Sequence, residues 1–257
     1  MEVIFWDMLS TGQSAGWRRI PRKGASMKVL IGICLVFFTM VGPSAGSSPP
    51  TAKENPLSSS GMPASSAIQP EFEKLSSSAK EIFDLAKETK WYKIKKKLDK
   101  LKKSEASIQQ IKNGETDFYL LQLRSRIDEL EEAIRTENKK DTMRYANDIT
   151  LLEVAMSGEL RLGVPTNVML LGYCGRKLEV LSQEKDNKNL SNLVIRMHLI
   201  WQNLIPKLAE KGETREIKAF SDIMKRLEKA KTFEEYSHLS ENVLDEVDAI
   251  EKVFRKR

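Results

Sequence analysis

Histidine and cysteine are the scarcest reactive residues in this 257-residue chain, with two of each. No C-x-x-C-H segment is present to attach haem covalently, and no Cys/His spacing suits zinc. Cys34 lies in an apolar run near the N-terminus, so removal of that segment on export would leave Cys174 without a disulfide partner in the monomer. On an apolar helix Cys174 reads as a small hydrophobe. Met197 and His198 are adjacent, point about 100° apart on a helix, and so cannot grip one haem iron from opposite sides. There is no G-x-S-x-G, and neither His198 nor His238 stands near an obvious nucleophile and orienting carboxylate. Gly172 and Gly175 make a G-x-x-G fragment without the strand a dinucleotide loop requires. Asn189-Leu-Ser is a glycosylation sequon by pattern alone, inside an expected helix. No cofactor is expected, and the scarcity of catalytic groups favours a non-enzymatic protein.

Several of the 13 glycines and 9 prolines fall in the first 70 residues. The remainder is poor in helix breakers, rich in Lys, Glu and Leu, and nowhere alternates with period two for long, so the expected class is all-α. Net charge is +6, but residues 1–46 hold five basic side chains against Glu2 and Asp7, leaving only +3 for the rest. Global charge is therefore no argument for nucleic acid, and no nucleic-acid partner is expected.

Met27-Lys28 precedes an apolar run from Val29 to Gly42, followed by Ser44, Ala45 and Gly46. That order of basic residues, apolar run and small residues predicts a signal peptide within residues 1–46, with Met27 a second candidate start. The run is shorter than the roughly 20 residues that span a bilayer, which favours cleavage over a permanent anchor, although an uncleaved anchor stays open. Ile-Gly-Ile before Cys34 is not a lipoprotein triplet. Residues 47–70 hold seven Ser and five Pro, so they are read as a disordered linker.

The uncharged stretch from Leu162 to Gly175 organises the rest of the chain. Read as a helix from about Pro165, it sets Val168, Met169, Leu170, Leu171, Tyr173, Cys174, Leu178 and Leu181 around most of its circumference, the pattern of a central buried helix. An offset of 98 residues aligns Gly114-Glu115-Thr116 with Gly212-Glu213-Thr214, and Glu81-Ile82-Phe83 with Glu179-Val180-Leu181. This predicts a duplication: a first unit over 71–158 and a second over 159–257, each of four helices. The expected helices are 71–88, 90–112, 117–136 and 138–158, then 166–184, 186–211, 215–231 and 233–255. Gly114 and Gly212 are read as stops, and Thr232 with Glu235 as a capping box. The whole is expected to be a helical bundle or short α-solenoid joined through the helix after Pro165.

Pro165, Leu171, Tyr173, Gly175 and Arg176 form the pattern P-x5-L-x-Y-x-G-R. It resembles uncharacterised exported helical proteins of bacteria over about residues 70–255, and the resemblance implies export and a helical fold without assigning site residues. A charge at Arg176 calls for a carboxylate partner, with Glu153 and Glu179 as candidates, or for an escape to the surface.

Two surface features remain. Lys87 to Lys103 hold nine lysines against Glu88 and Asp99, while Trp91, Ile94, Leu98 and Leu101 mark an apolar stripe. Lys93, Lys95, Lys96, Lys97, Lys100, Lys102 and Lys103 either form a solvated surface or attach the protein to anionic lipid head groups or an anionic envelope polymer. Glu235, His238 and Glu241 occur at three-residue steps, the E-x-x-H spacing of bundle metal sites, but no second such pair completes it. The same segment contains H-x-x-E, which resembles the short motif of imelysin-like exported proteins, although Tyr236 stands where their Gly does. The expectation is an exported, non-enzymatic scaffold or interaction protein of the bacterial cell envelope, partnered by an unknown protein or an anionic envelope polymer. A metal-binding bundle involved in metal uptake or sensing is the alternative.

Overall fold

A computed structural model describes residues 64–110, 117–159 and 164–255. Among them are eight helices and no strand: α1 (Ala64–Lys87), α2 (Trp91–Ile108), α3 (Asp117–Arg135), α4 (Lys139–Glu159), α5 (Thr166–Glu184), α6 (Asn187–Glu210), α7 (Thr214–Lys229) and α8 (Phe233–Arg255). The all-α expectation holds, and the helices form one compact unit. No helix among the described residues is long and apolar enough to cross a membrane. The leader read over residues 1–46, most of the linker, and the stop at Gly114 lie outside the described residues.

One boundary is corrected. Composition predicts a linker to residue 70, yet α1 starts at Ala64 and carries Pro70 inside it. A proline at the seventh helical position forfeits one backbone bond and costs helix stability, but the burial of Phe72 and Leu75 just beyond anchors the turns after it. Composition marks residues 64–70 as breakers because it cannot see that anchor.

The other boundaries obey local chemistry. Gly212 takes φ +77°, the left-handed conformation glycine adopts without a Cβ penalty, and closes α6 through a Glu213 N–H bond of 3.0 Å to the Leu208 carbonyl. Thr89, Glu137 and Lys185 end α1, α3 and α5 in the same conformation with a Cβ present. At the start of α8 the capping box is formed in both directions: the Glu235 N–H donates to Thr232 Oγ1 at 3.2 Å, and the Thr232 N–H donates to Glu235 Oε2 at 3.1 Å.

The helices pack in a repeated order. In the first four, α1 lies on α2 and α4, α3 on α4, and α2 touches α3; in the last four, α5 lies on α6 and α8, α7 on α8, and α6 on α7. Trp201 and Phe220, ring centroids 4.5 Å apart, fill the α6–α7 interior. The two sets meet where α5 packs on α4. Ion pairs also tie α1 antiparallel to α8: Glu73–Arg255 at 2.9 Å, Lys80–Glu251 at 3.4 Å and Lys87–Glu241 at 2.6 Å.

With neighbours on several sides, α5 buries residues around its whole circumference, including Val168, Leu171, Tyr173, Cys174 and Leu178. Gly175 is where it comes closest to α8: a Cβ there would stand 2.9 Å from Val243 Cγ1 and from Leu244 Cδ2. Only glycine permits that approach without repacking α8.

Candidate functional site

The basic helix α2 buries Ile94, Leu98, Leu101, Ser104 and Ile108 against its neighbours, so its lysines are forced outward. Two of the seven are engaged: Lys97 pairs with Glu81 and Lys102 with Glu131. Lys93, Lys95, Lys96, Lys100 and Lys103 are exposed and make no ion pair among the described residues. At 3.6 residues per turn, Lys93, Lys96, Lys100 and Lys103 share an arc of about 100° with Tyr92. Tyr92 is 86% exposed, the most of any large apolar side chain described. Asp99 borders this stripe as its one acidic neighbour, and Lys95 lies about 40° beyond it on the same exposed side of the helix. Sequence spacing finds the lysines but passes over Tyr92, which belongs with them because it is one helical turn before Lys96.

The α8 segment has other obligations. Glu235 is taken up by the capping box, where the backbone N–H groups of Lys231 and Thr232 hold its carboxyl below the usual carboxylate range. The hydrogen bond from Lys87 does the same for Glu241, while His238 is exposed. Two of the three candidate metal ligands are thus committed to the fold, and among the described residues no three His, Cys, Asp or Glu side chains gather as a metal-binding group. The other histidine, His198, places Nδ1 2.9 Å from Glu228 Oε1 on α7. Cys174 is fully buried, and burial pushes its thiol pKa up to about 12, which leaves it protonated and unreactive at neutral pH.

At the joint between the two helix sets, Arg176 is only 5% exposed. The carboxylate expected beside it is absent, since neither Glu153 nor Glu179 lies within ion-pair distance. Arg176 Nε donates to Asn147 Oδ1 at 3.0 Å and Nη2 to Thr150 Oγ1 at 3.3 Å. Asn147 in turn donates to the Tyr173 carbonyl at 3.1 Å, so one amide links α4 to α5 twice. Glu179 is satisfied by hydroxyls on α8, accepting from Ser237 at 2.6 Å and Ser240 at 3.3 Å. Burial lowers the Arg176 pKa, while Asp84, Glu251, Asp248 and Glu153 oppose it at longer range. Neutral acceptors on α4 thus fix the guanidinium, and acids around it balance its charge.

Asn147 and Thr150 escape sequence reasoning. Their signal is present, since they interrupt the apolar run of α4 one turn apart and Glu153 and Ser157 continue the polar stripe. Glu153 is 6% exposed and accepts from Ser157 Oγ at 2.7 Å. Burial pushes its carboxyl above the usual carboxylate range, against the opposing effects of Ser157, Lys80 and Ser76.

No protein-family model, curated protein or solved structure matches this chain.

Proposed function

We propose that this protein is an exported, non-enzymatic helical interaction module that sits on an anionic surface of the cell envelope through α2. The observation that carries this reading is the outward stripe of Lys93, Lys96, Lys100 and Lys103 beside the exposed Tyr92, with no carboxylate paired to any of them among the described residues. Unpaired ammonium groups along one helix face gain from an anionic plane what isolated lysines do not, because all of them reach it together. A tyrosine at the end of such a stripe adds an amphipathic ring suited to a head-group region. The signal-like segment within residues 1–46 supports placement outside the cytoplasm.

Sedimentation with vesicles tests the reading. The protein is expected to co-sediment with vesicles containing phosphatidylglycerol, to stay in solution with pure phosphatidylcholine, and to be released as salt rises, because the Debye length falls from about 10 Å at 0.1 M to about 3 Å at 1 M. Equal binding to neutral vesicles would overturn it.

A further inference from the structure

Helices α1, α4, α5 and α8 enclose a small cell of about 10 Å3 beside Arg176, room for one water-sized group. The cell backs onto an open cleft of about 430 Å3, within the range of small-molecule pockets. Ser76, Lys80, Glu153, Met169 and Glu251 line both, so they form the floor of the cleft.

The charges here do not cancel. Glu251 pairs with Lys80 and Glu73 with Arg255, while deeper in, Arg176 lies in the field of Asp84, Glu251, Asp248 and Glu153 without a direct ion pair to any of them. Glu153 is the buried carboxylate of the floor without a direct ion pair among the described residues, and Lys80 and Arg176 act on it only at longer range. It is also the most buried acid of the floor, and it accepts a hydrogen bond from the Ser157 hydroxyl at 2.7 Å. Together the two spaces carry four carboxylates (Glu73, Glu153, Asp248 and Glu251) and three cations (Lys80, Arg176 and Arg255), one positive charge short. A buried carboxylate without a directly paired cation is costly, and a ligand that brings one removes part of that cost.

We propose that this cleft binds a small organic ligand through a primary ammonium group seated on Glu153. Three N–H donors match acceptors lining the cleft: the Glu153 carboxylate and the oxygens of Ser76 and Ser157. The remainder of the ligand lies along Phe72, Met169 and Phe254 toward the mouth. An anion is disfavoured because it would add to the excess of acids. The site does not depend on the α2 stripe, so either reading can fail alone.

Isothermal titration of the full chain with ethanolamine, putrescine and L-alanine, and with ethylene glycol and acetate as probes lacking the ammonium, tests the proposal. At least one ammonium probe is expected to bind and neither control to do so. Glu153→Gln, which keeps the shape and can still accept from Ser157, should weaken binding by about tenfold or more, the scale of a lost charge-assisted contact. Ser77→Trp, an exposed position at the mouth, should weaken it without touching the core. Absence of binding by every ammonium probe, equal binding of the controls, or unchanged affinity in Glu153→Gln would each overturn the proposal.

Discussion

The two helix sets pack in the same pairwise order but present different outer chemistry. The second helix of the first set, α2, shows water a row of lysines and Tyr92; its counterpart α6 shows Ile195 and Leu199, 62% and 47% exposed, with His198 paired to Glu228 between them. Inward, both helices do the same work, α2 through Ile94, Leu98 and Leu101 and α6 through Leu190, Met197, Trp201 and Leu204. Buried positions hold the packing order, and outward positions are free to diverge. A property found on one outer face alone is therefore where a specific role should be sought.

Substitutions at the joint should act on both sets at once and have the largest effects. Arg176→Ala strands the surrounding acids and leaves Asn147 and Thr150 without their donor, a loss of about 3–5 kcal/mol in denaturant unfolding, in line with breaking other buried charge networks. Replacement by a well-fitting Met should cost less. Gly175→Val drives a branched side chain into Val243 and Leu244. Overpacking of that kind costs about 1–3 kcal/mol, beyond any gain from removing a helix glycine. Unfolding near wild-type stability in both variants would show that the joint is not the shared element.

The acid side chain beside the joint gives a pH test. Burial raises the folded-state pKa of Glu153, so the folded chain holds its proton more tightly than the unfolded chain. Stability from that proton is present below the ordinary carboxylate range and is lost as pH rises through the raised value. Glu153→Gln should therefore melt higher than wild type at neutral pH and show little difference at acid pH. A constant difference across pH would remove burial of the charge as the cause.

The smallest effect is expected at a turn. Thr89 ends α1 at φ +56°, where a β-branched residue is strained, and the Lys90 N–H closes the turn on the Leu85 carbonyl at 2.9 Å. Thr89→Gly should stabilise by up to about 1 kcal/mol, a rise of roughly 2–4 °C in a body of this size. The equivalent change at Lys185, which ends α5, should act in the same direction and so tests whether the two turns are alike.

Much of this comparison is legible in the sequence. Apolar periodicity finds all eight helices and the buried character of α5, because both depend on which side chains avoid water. The turn at Gly212 and the cap at Thr232 are legible because their chemistry is local. The partners of Arg176 are not, since a buried guanidinium is expected to seek a carboxylate, whereas Asn147 and Thr150 on a different helix supply neutral acceptors. The cleft is not legible for the same reason: Ser76, Glu153 and Glu251 come from three helices that only packing brings together. Glu235 shows the opposite error, in which spacing suggests a ligand and the start of the helix has already claimed the side chain.

The separation of inner packing from outer role is tested most directly by replacing Lys93, Lys96, Lys100 and Lys103 with Gln and measuring thermal unfolding and binding to phosphatidylglycerol vesicles on the same preparation. The expected result is an unchanged melting temperature together with loss of the salt-sensitive binding shown by the wild type. Binding that persists in the variant, or a melting temperature that falls along with it, would contradict the assignment of that face to attachment alone.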